Sequence, residues 1–429
     1  MLLLVCIVVI IFVASLYVFQ SSKMKHESSD YRFEIIEGEK ISVNNGIYVL
    51  GFTENCTERG TPYIKMINSW NLTLDEDFWI SNVVKCFDGR IYAAGADILK
   101  IENGKVVWIK DLVAKEVIYE GTRENPIPVE YGDFLSVFDI ESDGEFLYFN
   151  TRDRVVKTDE DLNVIWAIKI KSESDIRFGD LSDDISVSDG IYLTKGNKII
   201  KLSKDGKLEW ALLLKSKEKI KREVNIPEEK RKMAEREGEK IPEFEELPRY
   251  SIDLCAIYAG DNVYAAGLAD DHLCESTEIH PFLAKLSRDG EILWAKIVNV
   301  TYPESQYVME GKIIKDGKRF ITWVSNCVFV FDENGDLINF YLIKGPISDL
   351  DLEDGTIYVA SPVVCREWLE NGEEKFERVG VEVEEKSCSA TQIDILTEKL
   401  KLKVENVECY SKNWEETTYE QLGSSLHVT

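Results

Sequence analysis

Short hydrophobic runs alternate with polar turns along most of the chain, and the alternation recurs as a module. In residues 189–214, DGIYLTKGNKIIKLSKDGKLEWALLL, an Asp-Gly turn leads into an apolar strand and a second strand follows. Another Asp-Gly turn then opens a strand that contains a tryptophan. The pattern reappears at 88–112 and 143–170, and with longer insertions around Tyr264 and Trp294. Apolar runs bounded by Asn, Asp and Gly read as strands, because Gly and Asn tolerate the positive φ of tight hairpins. A repeat of roughly 40–50 residues holding about four short strands is the pattern of a β-propeller. The chain is therefore expected to be all-β, a propeller of about seven four-stranded blades.

Strand b of each module is marked by Tyr48, Tyr92, Tyr148, Tyr192, Tyr264, Ile321 and Tyr358. Blades are expected at about 38–79, 80–113, 133–171, 181–215, 250–299, 305–344 and 345–410. Eight blades stay open if residues 114–132 hold a further strand, and Arg32–Ile36 is a candidate extra strand. Trp108, Trp166, Trp210 and Trp294 share one repeat position, where a large ring fills the wedge between neighbouring blades. Phe78-Trp79 is the candidate outer strand of blade one, and LKLKVENVE that of blade seven. Two insertions break the pattern. Segment 215–249 is highly charged, with a short helix expected between Pro227 and Gly238. Segment 365–388 carries Asn371-Gly372, a hairpin signal of its own.

The segments KLSKDGKLEW (201–210), KLSRDGEILW (285–294), KIENGKVVW (100–108) and KTDEDLNVIW (157–166) share a strand, a polar turn and a tryptophan. This pattern resembles the quinoprotein-like (pyrroloquinoline-quinone-type) propeller repeat, over about five of the blades. The resemblance implies a propeller scaffold; many members of that broad class bind no cofactor. Its enzymes hold a quinone beside a calcium, typically over a tryptophan floor. The alcohol dehydrogenases of the class add a disulfide between adjacent cysteines, a pair this chain lacks. Trp323 falls in a strand b, and nothing in the sequence places it at the axis. No catalytic residue carries over.

The first twenty residues, MLLLVCIVVIIFVASLYVFQ, have no charged side chain, and Leu2–Phe19 is long enough to span a bilayer. Residues 1–20 are expected to be a transmembrane signal anchor, 21–31 a polar linker, 32–412 the propeller and 413–429 a tail. A cleaved secretory signal is the competing reading. Lys23 and Lys25 pull the following domain toward the cytoplasm. An even set of cysteines after the span and sequons at Asn55, Asn71 and Asn299 point outward. A single-pass protein of the cell membrane with its propeller outside the cytoplasm is expected. Glutamine occurs only at Gln20, Gln306, Gln392 and Gln421 while Glu, Lys and Ile abound, a hyperthermophile-like bias.

Formal net charge is −27. That argues against nucleic-acid binding, which needs a positive footprint, and against docking on anionic headgroups. Histidine is scarce, and only His272 and His280 could act together, with Asp271 and Cys274 beside them; a surface loop is the plainer reading. No H-E-x-x-H, G-x-S-x-G or P-loop pattern is present. Asp139, Asp183, Asp184, Asp253 and Asp349 all fall just before their blades' first turn, so they can gather near one mouth of the central channel. Such carboxylates would hold a hard cation such as Ca²⁺; a solvated acidic rim is the alternative. No other cofactor is expected. Cys365–Cys388, Cys274–Cys327 and Cys56–Cys409 are the expected disulfides, the last stapling the ring shut.

These features favour a membrane-anchored binding or scaffolding module, not an enzyme, that presents a loop face to a protein, a glycan or the cell envelope. A quinone- or calcium-dependent oxidoreductase using the central channel is the alternative, and a surface-layer component a third reading.

Overall fold

The computed structural model describes residues 31–53, 60–74, 78–122, 125–151, 153–172, 184–223, 230, 232–233, 236, 244–272, 278–300, 311–370, 373–413 and 427–428. It is an all-β propeller of seven blades. Among the described residues no helix is long and apolar enough to cross a membrane, and the apolar run expected as an anchor lies outside them.

Six blades are antiparallel meanders written a-b-c-d in chain order. Their inner strands start at Lys40, Val83, Val137, Ile185, Tyr250 and Gly311, and their outer strands at Trp70, Lys105, Val164, Leu208, Ile292 and Leu337. The seventh differs. Asp349–Glu353 and Thr356–Ser361 pair antiparallel, and the N-terminal strand Arg32–Glu37 then joins Thr356–Ser361 in parallel. The strand Arg32–Glu37 therefore completes the last blade and closes the ring. Residues 114–132 make no eighth blade. They lie in a long hairpin, Lys105–Thr122 with Asn125–Phe134, extending the outer strand of blade two.

The greatest departure from expectation is at the C-terminus. Residues expected as the later strands of blade seven instead run backwards round the rim as a belt. Glu382–Glu385 pairs with the outer strand of blade six, Ala390–Gln392 with blade five and Ile395–Lys399 with blade four. Leu402–Asn406, Cys409–Asn413 and His427–Val428 continue onto blades three, two and one. A strand at a sheet edge exposes unpaired N–H and C=O groups, and the belt caps them on every blade but the seventh. Its side chains also reach the interior: Ile393 and Leu402 are buried in seams between blades.

The hydrophobic core is not a single mass. It is divided into seven clusters, each between two neighbouring blades. In blades one to five the strand-b tyrosine and strand-d tryptophan meet within one blade, with ring centroids 6.0–6.4 Å apart, from Tyr192–Trp210 to Tyr148–Trp166. Each tryptophan then leans on the c–d turn of the next blade. Trp166 donates to the Lys204 carbonyl and Trp210 to that of Arg288. At Gly335 the contact leaves no room for a side chain: a Cβ there, at φ +77°, would lie 2.8 Å from the Trp294 ring. In blade three Leu162 takes this turn position at φ 65° and is buried beside Trp108. Blade one follows the same rule with Trp70, which packs on Gly104; Trp79, expected in that role, is instead an exposed loop residue.

The expected hairpin of the second insertion is present, as Cys365–Glu370 pairs with Glu373–Arg378. The charged insertion is rooted in a two-stranded stem, Lys219–Glu223 with Phe244–Pro248, and most residues between lie outside those described, including Pro227 and Gly238.

Candidate functional site: the central channel

The innermost strand of each blade is a sheet edge, so half of its main-chain groups have no partner in its own sheet. Side chains of the preceding blade supply them. Asp139, Asp184 and Asp349 occupy one place in the repeat and bond alike. One oxygen of each accepts the amide of the following residue: Ile140 at 2.9 Å, Ile185 at 3.0 Å and Leu350 at 2.8 Å. The other accepts an amide of the next blade's inner strand: Ile185 at 3.4 Å, Ile257 at 2.7 Å and Ile41 at 3.0 Å. Ser42 and Ser186 do the same through their hydroxyls, for Cys86 and Ala259. Blade seven extends the device along its strand. Asp351 accepts from Val43 at 2.7 Å and Glu353 from Asn45 at 3.2 Å. Buried main-chain N–H groups must be satisfied, and these side chains do it across the seams.

Two lysines project among these acids. Lys85 lies 2.9 Å from Glu141 and 3.5 Å from Asp139. Lys312 lies 3.4 Å from Asp349 and 4.0 Å from Asp351. Burial works against the charge of Lys85, yet Asp139, Glu141 and Asp184 outweigh it and hold the ammonium well above its ordinary value. Lys312 is raised in the same way, with Asp349 and Asp351 overcoming burial. Burial, then the neighbouring Asp139 carboxylate, push Asp184 well above the usual carboxylate range. Glu141 is also raised by burial, against the pull of Lys85.

The channel encloses a cavity of about 460 Å³, lined by Asp139, Asp184 and Asp349 together with Lys40, Lys85 and Lys312. Asp253 lies off the cavity, where burial raises its pKa against the influence of Lys198; Asp183 lies outside the described residues. Three of the five expected carboxylates thus line one channel, each with both oxygens held by main-chain N–H groups. Among the described residues no group of three or more His, Cys, Asp or Glu side chains is placed to hold a metal ion. Trp323, which sequence alone could not place, lines the channel wall and donates its indole N–H to the Ser325 carbonyl. Lys85, Glu141, Lys312 and Asp351 were not foreseen. Their signal is a charged residue inside an otherwise apolar inner strand, as in VVKCF.

The other expected groups lie elsewhere. The His280 ring meets the Val300 carbonyl at 3.0 Å, His272 sits 3.8 Å from Asp270, and Cys274 is outside the described residues. Among the described residues no two cysteine sulfurs lie at disulfide distance. Cys365 is the register partner of Arg378 in its hairpin, whereas Cys388 has travelled on with the belt and donates to the Asn299 carbonyl at 3.4 Å. Cys327 is buried between blades five and six. Cys409 sits in the belt opposite Ala114, and Cys56 is outside the described residues. Among the described residues, ring closure is made by the strand Arg32–Glu37 and the side-chain ladder. Of the sequons, Asn55 is outside the described residues, Asn71 lies in the outer strand of blade one, and the Asn299 amide bonds Ser389 and Thr391 of the belt.

No protein-family model matches the chain, and no curated protein matches it. Among solved structures it is similar to a protein of unknown function from Bacteroides caccae, at 11% identity and a TM-score of 0.29, covering 63% of this chain and 72% of that one. It is also similar to Kluyvelomyces marxianus Hsv2, at 10% identity and a TM-score of 0.26, covering 70% of this chain and 92% of that one. The fold described above rests on the strand pairing alone.

Proposed function

We propose that the protein is a non-catalytic binding module, tethered to the membrane by its N-terminal apolar run with the propeller outside the cytoplasm, whose loop face takes a protein partner. One observation carries this reading: the two faces of the ring are built unequally. In an antiparallel meander the a–b and c–d turns share one face, and the b–c and d–a connections share the other. The first face holds short turns with Gly or Asn at positive φ, such as Asn103-Gly104 and Asp354-Gly355. Among the described residues the second holds the long connections, the hairpins ending at Phe134, Pro248 and Arg378. It also exposes large apolar side chains. Trp79 is 72% exposed and Phe134 57%. The Trp79 loop is pinned, its amide donating to Asp97 at 2.6 Å and its carbonyl accepting from Ala96 at 2.8 Å. A rigid, exposed tryptophan offers contact area at little entropic cost, as interface anchors do. The net charge of −27 favours a basic partner surface.

The test is cross-linking and pull-down from native membranes, comparing the natural chain with Trp79→Ala/Phe134→Ala. A partner captured by the former and lost by the latter is expected. Capture of nothing by the natural chain, or an unchanged set of partners, overturns the reading. So does a quinone absorbance band with dehydrogenase turnover after reconstitution with pyrroloquinoline quinone and Ca²⁺.

A further inference from the structure

Two inner strands carry a β-bulge, and both bulges send a side chain into the channel. In blade three Val137 opposes Thr151 and Asp139 opposes Asn150, leaving Phe138 as the extra residue. In blade five Leu254 opposes Gly267 and Ala256 opposes Ala266, leaving Cys255. Bulges bend a strand and re-aim side chains, and they concentrate beside functional sites. Phe138 and Cys255 both line the 460 Å³ cavity. The neighbouring blade makes room for the second: a Cβ on Gly311 would lie 2.6 Å from the Cys255 sulfur.

The chemistry of the wall narrows the ligand. Phe138 and Phe52 give it aromatic surface, while Ser81 and Asn82 give it neutral polar groups. Its charges are mixed and nearly balanced, Lys40, Lys85 and Lys312 against Glu39, Asp139, Asp184 and Asp349, with Lys85 3.5 Å from Asp139 and Lys312 3.4 Å from Asp349. A charged ligand would disturb that pairing and leave a counter-charge unmatched. A hydroxyl group suits it, because it can donate to a carboxylate and accept from a lysine at once. A ring with an apolar C–H face suits the aromatic surface. The volume lies within the roughly 300–1,000 Å³ of small-molecule pockets.

We propose that the channel binds a neutral, polyhydroxylated ring compound of monosaccharide or disaccharide size, seated against Phe138. This site is separate from the loop-face partner surface and uses neither Trp79 nor Phe134. The test is saturation-transfer NMR and calorimetry on the propeller with glucose, galactose, mannose and N-acetylglucosamine, and with glutamate and inorganic phosphate as charged probes. Binding of at least one neutral sugar with Kd below about 1 mM is expected, with neither charged probe competing. Phe138→Ala should weaken it about tenfold, and Phe138→Trp should retain it, at unchanged thermal midpoints. No sugar binding, tighter binding of glutamate or phosphate, or sugar binding indifferent to Phe138→Ala would each overturn the proposal. The pull-down with Trp79→Ala/Phe134→Ala is unaffected by any of these outcomes.

Discussion

The seam between blades four and five and the seam between blades seven and one join the same kinds of strand by different means. Between four and five the cluster runs from Tyr192 and Leu212 to Phe282 and Ile297, and takes in Ile393 of the belt. Between seven and one the buried set is Ile36, Ile41, Val49 and Ala360. There Asp349, Asp351 and Glu353, at alternate positions of one strand, grip the amides of Ile41, Val43 and Asn45, at alternate positions of the other. Apolar burial is non-directional and tolerates sliding, whereas charged acceptors on main-chain N–H groups fix a register. The four–five seam also has the directional device, in Asp184 on Ile257 and Ser186 on Ala259, but it is longest, with three carboxylates in a row, where the last blade must find the first and the apolar set is smallest.

Removing the belt should separate the two seams most sharply. A chain ending at Gly380 loses Ile393 and Leu402 and the strand pairing on six blades, on the order of 5–10 kcal/mol. Hydrogen exchange should quicken in Leu208–Ser216 and Ile292–Val298, while Asp349–Glu353 keeps its protection. Equal loss in all blades would show that the belt acts on the ring as a whole.

Next in size is Phe282→Ala, fully buried in the four–five seam, which should cost about 3–5 kcal/mol by denaturant unfolding with little dependence on pH. A third pair of variants uses one repeat position in both seams. Asp349→Asn leaves Lys312 without its nearest carboxylate and should cost about 1–3 kcal/mol at neutral pH. Asp184→Asn should behave oppositely. Burial and Asp139 hold the Asp184 carboxyl above its unfolded value, so its contribution is complete below about pH 4 and declines as pH rises toward the folded value. The asparagine variant should therefore gain on the natural protein as pH rises above about 4. Equal losses from both variants would show that the neighbouring charges do not matter.

The seam between blades three and four gives an acid-side control. Burial opposes ionisation of Asp143, but the Phe146 amide, Lys204 and Tyr148 prevail and lower it to about 2. Its contribution is present above the ordinary 3.8 and is lost as pH falls from there toward about 2. Asp143→Asn should remove that part of the acid titration. The smallest contrast uses two glycines at positive φ. Gly290→Ala drives a Cβ to 2.6 Å from Leu212 in the four–five seam and should cost more than about 2 kcal/mol. Gly355→Ala, with nothing within 4 Å, should cost only the backbone strain of about 1 kcal/mol.

Much of the scaffold was legible in the chain. Turns such as Asp205-Gly206 and Asp289-Gly290, with Trp210 and Trp294 following, mark both a strand and the neighbour it packs against, because each tryptophan rests on the next such turn. The hairpin around Asn371-Gly372 was readable for the same local reason. The belt was not: segments such as ILTEK and LKVEN resemble any half-exposed strand, and their partners lie up to hundreds of residues away. Trp70 was missed as the outer-strand ring of blade one because the more conspicuous Phe78-Trp79 follows it. Of the channel, the positions of Asp139, Asp184 and Asp349 were readable from the repeat, but not what holds them, since an acid that caps a neighbouring amide looks in sequence like one that awaits a cation.

Local periodicity by itself determined the all-β class, a ring of about seven modules and the place of the wedges Trp108, Trp166, Trp210 and Trp294, because strand alternation and tight-turn chemistry act over a few residues. Only the tertiary structure decided how the ring closes, where the belt strands from Glu382 to Asn413 run and which side chains reach the axis. Those outcomes depend on unpaired main-chain groups at sheet edges finding partners far along the chain, and a strand carries no local mark of the edge it will cover.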